Sequence, residues 1–499
     1  MTGSKGPSRL VFVGAANPRI VSLTNSESNL DYLALSYCWG GDDSMKLTTS
    51  TIGRWTESLP FTELPKTLRD AITFTKHIGL EYVWIDRLCI IQDDPEDVII
   101  EIAAMPNIYG RAWLTLSVSW AKASQDGFLF STAESHNVLR KTMLAMHYRC
   151  PDESIGLVTL TPMSDWTTSS REAIDYRAWT LQEQMLSPRV LQFSSHYVRW
   201  DCKSARYYYR HSENPELPIP KGNFDTTGEG LKEWRLVVED YCSRKMSDSG
   251  DKLLAISAIA ANYHRRQTGI GGATKYMAGL WEEQLPEALL WRIDMYEQPP
   301  RPPVYRAPSW SWASIDGRIF HMFLYRLGED RQYNKFLTTV TEWRVELTSQ
   351  SAPYGAVASG FIKLRGQVRL LYWHLEKGQL SAESEGYPER SGSSYATPDA
   401  LDNKYPFGTQ RFGQGAPVLC LLLGYSVSFN QDRYPFGLIL VPETEPSNLI
   451  DLDANGEFGH IWEHSSLRRV GFFDIGYGLE DERKMFWELP YKELEVTII

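Results

Sequence analysis

No apolar run in this sequence is long enough to cross a bilayer: the longest, such as Val418 to Leu423, fall far short of the roughly 20 residues a membrane helix needs. They read as buried strands. Met1 to Ile20 has basic residues but neither the apolar core nor the small-residue cleavage pattern of a secretory signal, so the expectation is a cytoplasmic protein with no membrane span. Cysteine is sparse. The six residues Cys38, Cys89, Cys150, Cys202, Cys242 and Cys420 are scattered, and no two stand at the close spacing of a structural zinc site, so reduced thiols are expected. The ten histidines are dispersed without an HExxH pattern, which removes catalytic zinc and leaves no metal to expect. Gly269 to Lys275 has glycines and a lysine but lacks the Gly-Lys-Ser/Thr ending of a phosphate loop, and reads as a flexible turn. Basic charge is in deficit, 51 Lys and Arg against 62 Asp and Glu, and the net charge of -11 argues against broad attraction to nucleic acid or an anionic membrane. There is no internal repeat.

What the chain has is length and aromatic volume. Its 499 residues exceed what one core serves, so two or three domains are expected, and the 17 tryptophans supply core volume with each indole N–H seeking a buried acceptor. Leu10 to Val13 and Tyr32 to Tyr37 suit strands, and the second ends at Cys38-Trp39-Gly40-Gly41, where paired glycines place a turn. Pro65 opens a helix over Lys66 to Ile78, with Leu68, Ala71, Ile72 and Ile78 at helical spacing and Gly79 as the stop. Tyr82 to Ile85 is a β-prone run. A second helix follows from about Glu96 to Tyr109, capped by Asp93 or Asp94, with Ile99, Ile102, Ala103 and Met105 to Ile108 as its apolar side. Trp113 to Val118 then resumes the strand pattern.

Strand, helix, strand, helix, strand with short connections is the signature of a parallel α/β sheet, whose ligands bind beyond the carboxyl ends of the strands. That edge collects Cys38 to Gly41 from one strand and Asp86 to Gln92 from another. Farther on, Leu253 to Tyr263 and Met277 to Ile293 read as helices, Pro299 to Pro303 as a break, and the remainder as β-rich: Phe361 to His374, Val418 to Val427, Phe436 to Val441 and Val470 to Ile475 have strand composition. Between them Leu380 to Lys404, rich in Ser, Glu, Gly and Pro, reads as a long mobile loop.

Three blocks at the sheet edge carry a family resemblance. Ser36-Tyr37-Cys38-Trp39-Gly40, then Leu64-Pro65-Lys66-Thr67, then Trp84 to Asp94 resemble, in that order, the successive blocks of the heterokaryon-incompatibility (HET) domain. The likeness continues through Glu101, Met105, Ile108-Tyr109 and Ala112, and Arg177-Ala178-Trp179-Thr180-Leu181-Gln182-Glu183 is similar to the family's arginine-tryptophan-glutamine-glutamate element. Trp200-Asp201-Cys202, Asp251-Lys252-Leu253, Gly279-Leu280-Trp281 and Pro308 to Ala313 look like features found downstream in such proteins. One departure stands out: where the family often has tryptophan three positions before the helix glutamate, this chain has Val98.

The resemblance implies a HET domain over residues 1–210, densest over 33–202, with a parallel-sheet fold of the TIR/flavodoxin-like kind. A helical extension over 211–300 and a β-rich domain over 301–499 follow. It implies fungal non-self recognition and programmed cell death, with self-association into a homo-oligomer and a protein partner in incompatibility signalling. Some TIR domains cleave NAD with a helix glutamate, so the fold analogy offers NAD as substrate rather than cofactor. Such hydrolysis passes through a cation-like ribosyl species and needs a carboxylate in a site that excludes bulk water. Glu101 and Asp86 are the candidate catalytic carboxylates; Trp39, Gly40, Gln92, Arg177 and Glu183 are the candidates to shape the binding site. The rivals are a non-enzymatic self-associating module and a small-molecule enzyme on the same scaffold. Structure alone also accounts for each residue: Glu101 as an ordinary helix residue, Asp86 paired with Arg177 or Arg87, and Arg177 with Glu183 as an ion pair. Cys38 and Cys89 have no histidine in their motifs to activate them and read as buried small hydrophobes.

Overall fold

The computed structural model describes residues 6–23, 30–41, 44–129, 144–149, 154–160, 171–195, 197–202, 204–209, 230–246, 248–269, 275–294, 299–321, 334–350, 352–374, 378–381, 394–400, 416–427, 432–443, 466–475 and 486–499. Cys150 and residues 270–274 of the expected glycine turn lie outside the described residues. The chain forms two compact units, Met1–Thr226 and Thr227–Ile499.

In the first unit, β1 (Arg9–Phe12), β2 (Arg19–Ser22) and β3 (Leu33–Ser36) are followed by the helices α1 (Ile52–Glu57) and α2 (Lys66–His77). Then come β4 (Tyr82–Trp84), α3 (Asp86–Cys89), α4 (Pro95–Arg111) and β5 (Leu114–Val118). The hairpin β6 (Leu144–Arg149) and β7 (Ile155–Leu160) precedes α5 (Trp179–Leu186), and β8 (Arg189–Phe193), β9 (Val198–Cys202) and β10 (Arg206–Tyr209) complete the unit. Eight strands form one sheet in the order β10-β9-β8-β5-β3-β4-β1-β2. The middle four, β8-β5-β3-β4, are parallel, with Leu33 opposite both Val83 and Leu114 and Thr115 opposite Val190. The outer strands depart from the all-parallel expectation: β1 runs antiparallel to β2 and β4, and β9 to β8 and β10. The reason is connection length. A parallel crossover takes a dozen or more residues, whereas β1 reaches β2 through residues 13–18 and β8 reaches β9 through 194–197, which suffice only for hairpins.

Numbered along the parallel core, β3, β4, β5 and β8 are strands one to four, and they lie in the order 2-1-3-4. The order reverses between β3 and β5. Crevices in doubly wound sheets open at such a reversal, beyond the carboxyl ends of the strands. The helices around it begin and end on local signals. Buried Leu68, Ala71 and Ile72 give α2 its inner face, and Gly79, at φ +81°, ends its turn. On α4 the N-cap is Asp94, whose carboxylate accepts from the Glu96 and Asp97 amides. The inner face of α4 differs from the expected one: Glu101, Ala104, Met105, Ile108 and Tyr109 are buried, while Ile99 is 69% and Ile100 46% exposed.

The second unit opens with α6 (Gly230–Cys242) and α7 (Ser257–Gly269) and the two-residue strands β11 (Tyr276–Met277) and β12 (Leu280–Trp281). A short pair follows, β13 (Trp291–Ile293) with β14 (Ile319–His321). The helix expected over Met277 to Ile293 is therefore absent. Gly279 sits at φ +100° with its Cα hydrogen side against the Trp312 ring, where a Cβ would stand 2.7 Å away, and Pro286 lacks the amide a helix would use. The rest is β: β15 (Asn334–Phe336), β16 (Thr339–Leu347), β17 (Val357–His374), β18 (Gln379–Ser381), β19 (Ser394–Pro398), β20 (Ala416–Val427), β21 (Arg433–Pro442), β22 (Leu467–Ile475) and β23 (Lys492–Ile498). Their pairings close on themselves, β17 to β20, β21, β22, β23 and back to β17, around Trp373, Val418, Cys420, Leu422, Ile439, Val441 and Phe473. Of the loop expected at 380–404, Ser394–Pro398 is a strand on β22, because its side of the ladder satisfies the β22 backbone; 382–393 and 401–404 lie outside the described residues.

Candidate functional site

The site is assembled at the carboxyl edge of β3, β4 and β5. After β3 the chain runs through Tyr37 and Cys38 to Trp39 and then turns at Gly40 and Gly41, both in the left-handed region at φ +77° and +78°. Gly40 lies so close to the loop after β5 that a Cβ would stand 2.3 Å from that of Ala123, and the Ser124 amide donates to the Trp39 carbonyl at 3.2 Å. The two loops flanking the strand-order reversal are thus pinned together by backbone.

Beyond β4, Asp86 opens α3. Its Oδ1 accepts from the Arg87 amide at 2.7 Å and its Oδ2 from the Trp39 indole at 2.8 Å. The buried Arg87 guanidinium lies over the Trp39 ring, 4.5 Å from its centroid, so the indole is held from its face and its edge. Gln92 turns its side-chain amide back to the carbonyls of Asp86 and Ile90, at 3.1 and 3.2 Å, and so ties down the segment that presents Asp86.

The third contribution comes from the stretch before β8. Arg177 donates to the Tyr37 carbonyl, and α5, which follows at once, carries the buried Glu183. Burial pushes the Glu183 acid up to about 7; Arg177 and the Ser36 and Tyr109 hydroxyls pull it down, and the Asp86 charge pushes it up. Burial also raises Asp86, against Arg177, the Trp39 indole and Arg87. For Arg177, desolvation disfavours the cation, but Glu183 and Asp86 outweigh it and hold the proton more firmly than usual. The Gln182 and Gln192 side-chain oxygens are buried here without hydrogen-bond partners. Asp86, Arg177, Trp39 and Gln92 are half-buried, so the group reaches solvent through them while Glu183 lies beneath.

Trp39, Gly40, Asp86, Gln92, Arg177 and Glu183 are therefore brought to one edge. Glu101 stands in other company. It is completely buried on the inner face of α4, and burial raises its acid against the opposing influence of Ser8 and Arg9. Over that region Arg9 pairs with Asp97 and donates to the Cys89 carbonyl at 2.7 Å. Burial dominates at Cys38 as well, where it raises the thiol. Sequence reasoning offered Arg87 only as a structural partner of Asp86, and gave Tyr37 and Tyr109 no role in the site. For Arg87 a signal existed, a lone cation inside the apolar run Val83 to Ile91, where a charge is costly unless held.

Among the described residues, no group of three or more His, Cys, Asp or Glu side chains converges as a metal site, and no helix is long and apolar enough to cross a membrane. Residues 32–183 match the protein family described as heterokaryon incompatibility protein (HET), a segment that contains Trp39, Gly40, Asp86, Gln92, Arg177 and Glu183. No curated protein and no solved structure matches the chain.

Proposed function

From the premise that residues 32–183 form a HET domain, with the role in heterokaryon incompatibility this implies, we propose that the domain acts by cleaving NAD at its nicotinamide–ribose bond. One observation carries the reading: two carboxylates with raised acids and a firmly protonated arginine are gathered at the strand-order reversal of a parallel core, where such sheets place ligands. The 2-1-3-4 order supports the flavodoxin-like and TIR-like part of the expectation.

In this reading the half-exposed Asp86 is the reacting carboxylate. The C1′–N bond breaks and nicotinamide departs neutral with the bonding pair, while Asp86 stabilises the ribosyl cation; water then bonds to C1′ and gives its proton to Asp86. Burial makes Asp86 a stronger base than a free carboxylate. Arg177 offers positive charge to the diphosphate, and Trp39 supplies an aromatic wall whose position Arg87 fixes. Glu183 keeps Arg177 oriented from below. Glu101 remains the alternative carboxylate, reachable only if the Arg9–Asp97 pair opens.

The test is nicotinamide release from NAD by the purified chain at high protein concentration. Asp86→Asn should lower the rate by about 10²–10⁴-fold, while Glu101→Gln keeps most of it. An unchanged rate in Asp86→Asn sinks the assignment, and loss in Glu101→Gln alone moves the chemistry to α4. One observation favours the rival of self-association without chemistry: the exposed Ile99 and Ile100 on α4. Under that rival, Ile99→Glu disperses the oligomer seen by sedimentation and Asp86→Asn leaves signalling intact.

A further inference from the structure

Buried arginines in the second unit are normally well served. Arg469 of β22, fully buried, gives Nε and Nη2 to the Asp399 carboxylate at 2.9 and 3.2 Å. It also gives Nη1 to the Leu289 carbonyl at 2.7 Å and Nη2 to the Trp291 carbonyl at 2.5 Å, and it lies over the Trp291 ring. Arg306 is held in the same way by the carbonyls of Ser249, Ala313 and Ile315 and by Asp316. Arg235, whose Nε and Nη2 are buried without an acceptor, still has the Glu287 carboxylate on Nη1 at 2.9 Å.

Arg469, Arg306 and Arg235 each have a carboxylate; Arg369 has none among the described residues. It stands on β17 opposite Cys420 and is 1% exposed, yet its Nε and Nη1 are enclosed with no acceptor. What faces its guanidinium is aromatic: the Phe486 ring at 4.6 Å and the Tyr491 ring at 5.1 Å. On its own strand Leu371 and Trp373 continue into the apolar core with Val418, Cys420 and Leu422, and among the described residues no carboxylate pairs with it. A guanidinium keeps its proton even when buried, so it cannot escape the cost of lost hydration by becoming neutral. Ring faces attract a cation, but they accept no N–H in the plane of the fork. The unmet requirement is for an oxyanion lying in that plane.

We propose that Arg369 anchors a site in the second unit for a small ligand bearing an oxyanion, either a carboxylate or a phosphate monoester, admitted past Tyr491. The Tyr491 ring is 49% exposed, so its displacement uncovers the guanidinium without opening the core. Phe486 remains as an apolar wall against the body of the ligand. The site rests on no part of the NAD reading.

The test melts the full-length chain in sodium phosphate, sodium benzoate and sodium chloride at matched ionic strength, alongside Arg369→Met. Wild type should gain stability saturably with phosphate or benzoate but not with chloride. Arg369→Met should show affinity for the same probe weaker by about tenfold or more, and in chloride it should melt above wild type, because it buries no uncompensated charge. A response to phosphate alone assigns a phosphorylated ligand, and one to benzoate alone an aromatic carboxylate. The proposal is overturned if wild type responds to neither probe, or if Arg369→Met responds as wild type does. A variant that fails to fold or melts below wild type in chloride also overturns it, since the guanidinium would then be a structural part of the core.

Discussion

Asp86 and Glu183 share one arginine but divide their duties by depth. Asp86 reaches solvent and is tied to Trp39 and Arg87; Glu183 is sealed beneath, where burial brings its acid to about 7. That shift has a direction in stability. A carboxyl whose folded pKa lies above its unfolded one holds more protons when folded, so its contribution is complete below the ordinary glutamate range and is lost as pH rises through about 7. Asp86 and Glu101, both raised, act in the same sense. The first unit should therefore lose stability between about pH 4.5 and pH 7, and Glu183→Gln should flatten that slope. Urea midpoints across this window check it; an unchanged slope would show that Glu183 titrates as it does in the unfolded chain.

At the scale of elements, α4 shows what could and could not be read from the chain. Its start was legible because Pro95 and the acids after Asp94 act locally, and the capping bonds are worth about 1 kcal/mol. Asp94→Ala should lower stability by about that amount, read as a shift in denaturant midpoint without a change in slope. Its rotation was not legible. Ile99 and Ile100 face outward while Glu101 faces inward, an orientation that goes with the packing of α4 on α5 rather than with the apolar pattern. The edge residues Trp39, Asp86, Arg177 and Glu183 could be picked out because strands end in turns, and the turns carry the polar groups. That Arg177 would reach the Tyr37 carbonyl, 140 residues earlier, could not be foreseen. The stretch Met277 to Ile293 misled for the opposite reason: its leucines and tryptophans fit a helical period, and the close approach of Trp312 to Gly279, together with Pro286, excludes one.

At the scale of the whole molecule, each unit has an apolar core of its own, one around the eight-stranded sheet and one inside the closed circuit of β17 and β20 to β23. Within the second, the Arg469–Asp399 pair joins β22 to the segment after β19 and, through the Leu289 and Trp291 carbonyls, to β13 and the chain just before it. Asp399→Asn leaves a charge inside this core. It should destabilise the second unit by roughly 3–5 kcal/mol, and calorimetry should show that unit's transition moving down while the first unit's stays. A common shift of both would mean that the two cores melt as one.

The contact between Gly40 and Ala123 bears on descent as well as on geometry. Gly40 admits no side chain without parting the loops, whereas Trp39 and Gln92 sit at the rim. Divergent lineages of such a domain can therefore exchange what the rim greets and still inherit the same mouth.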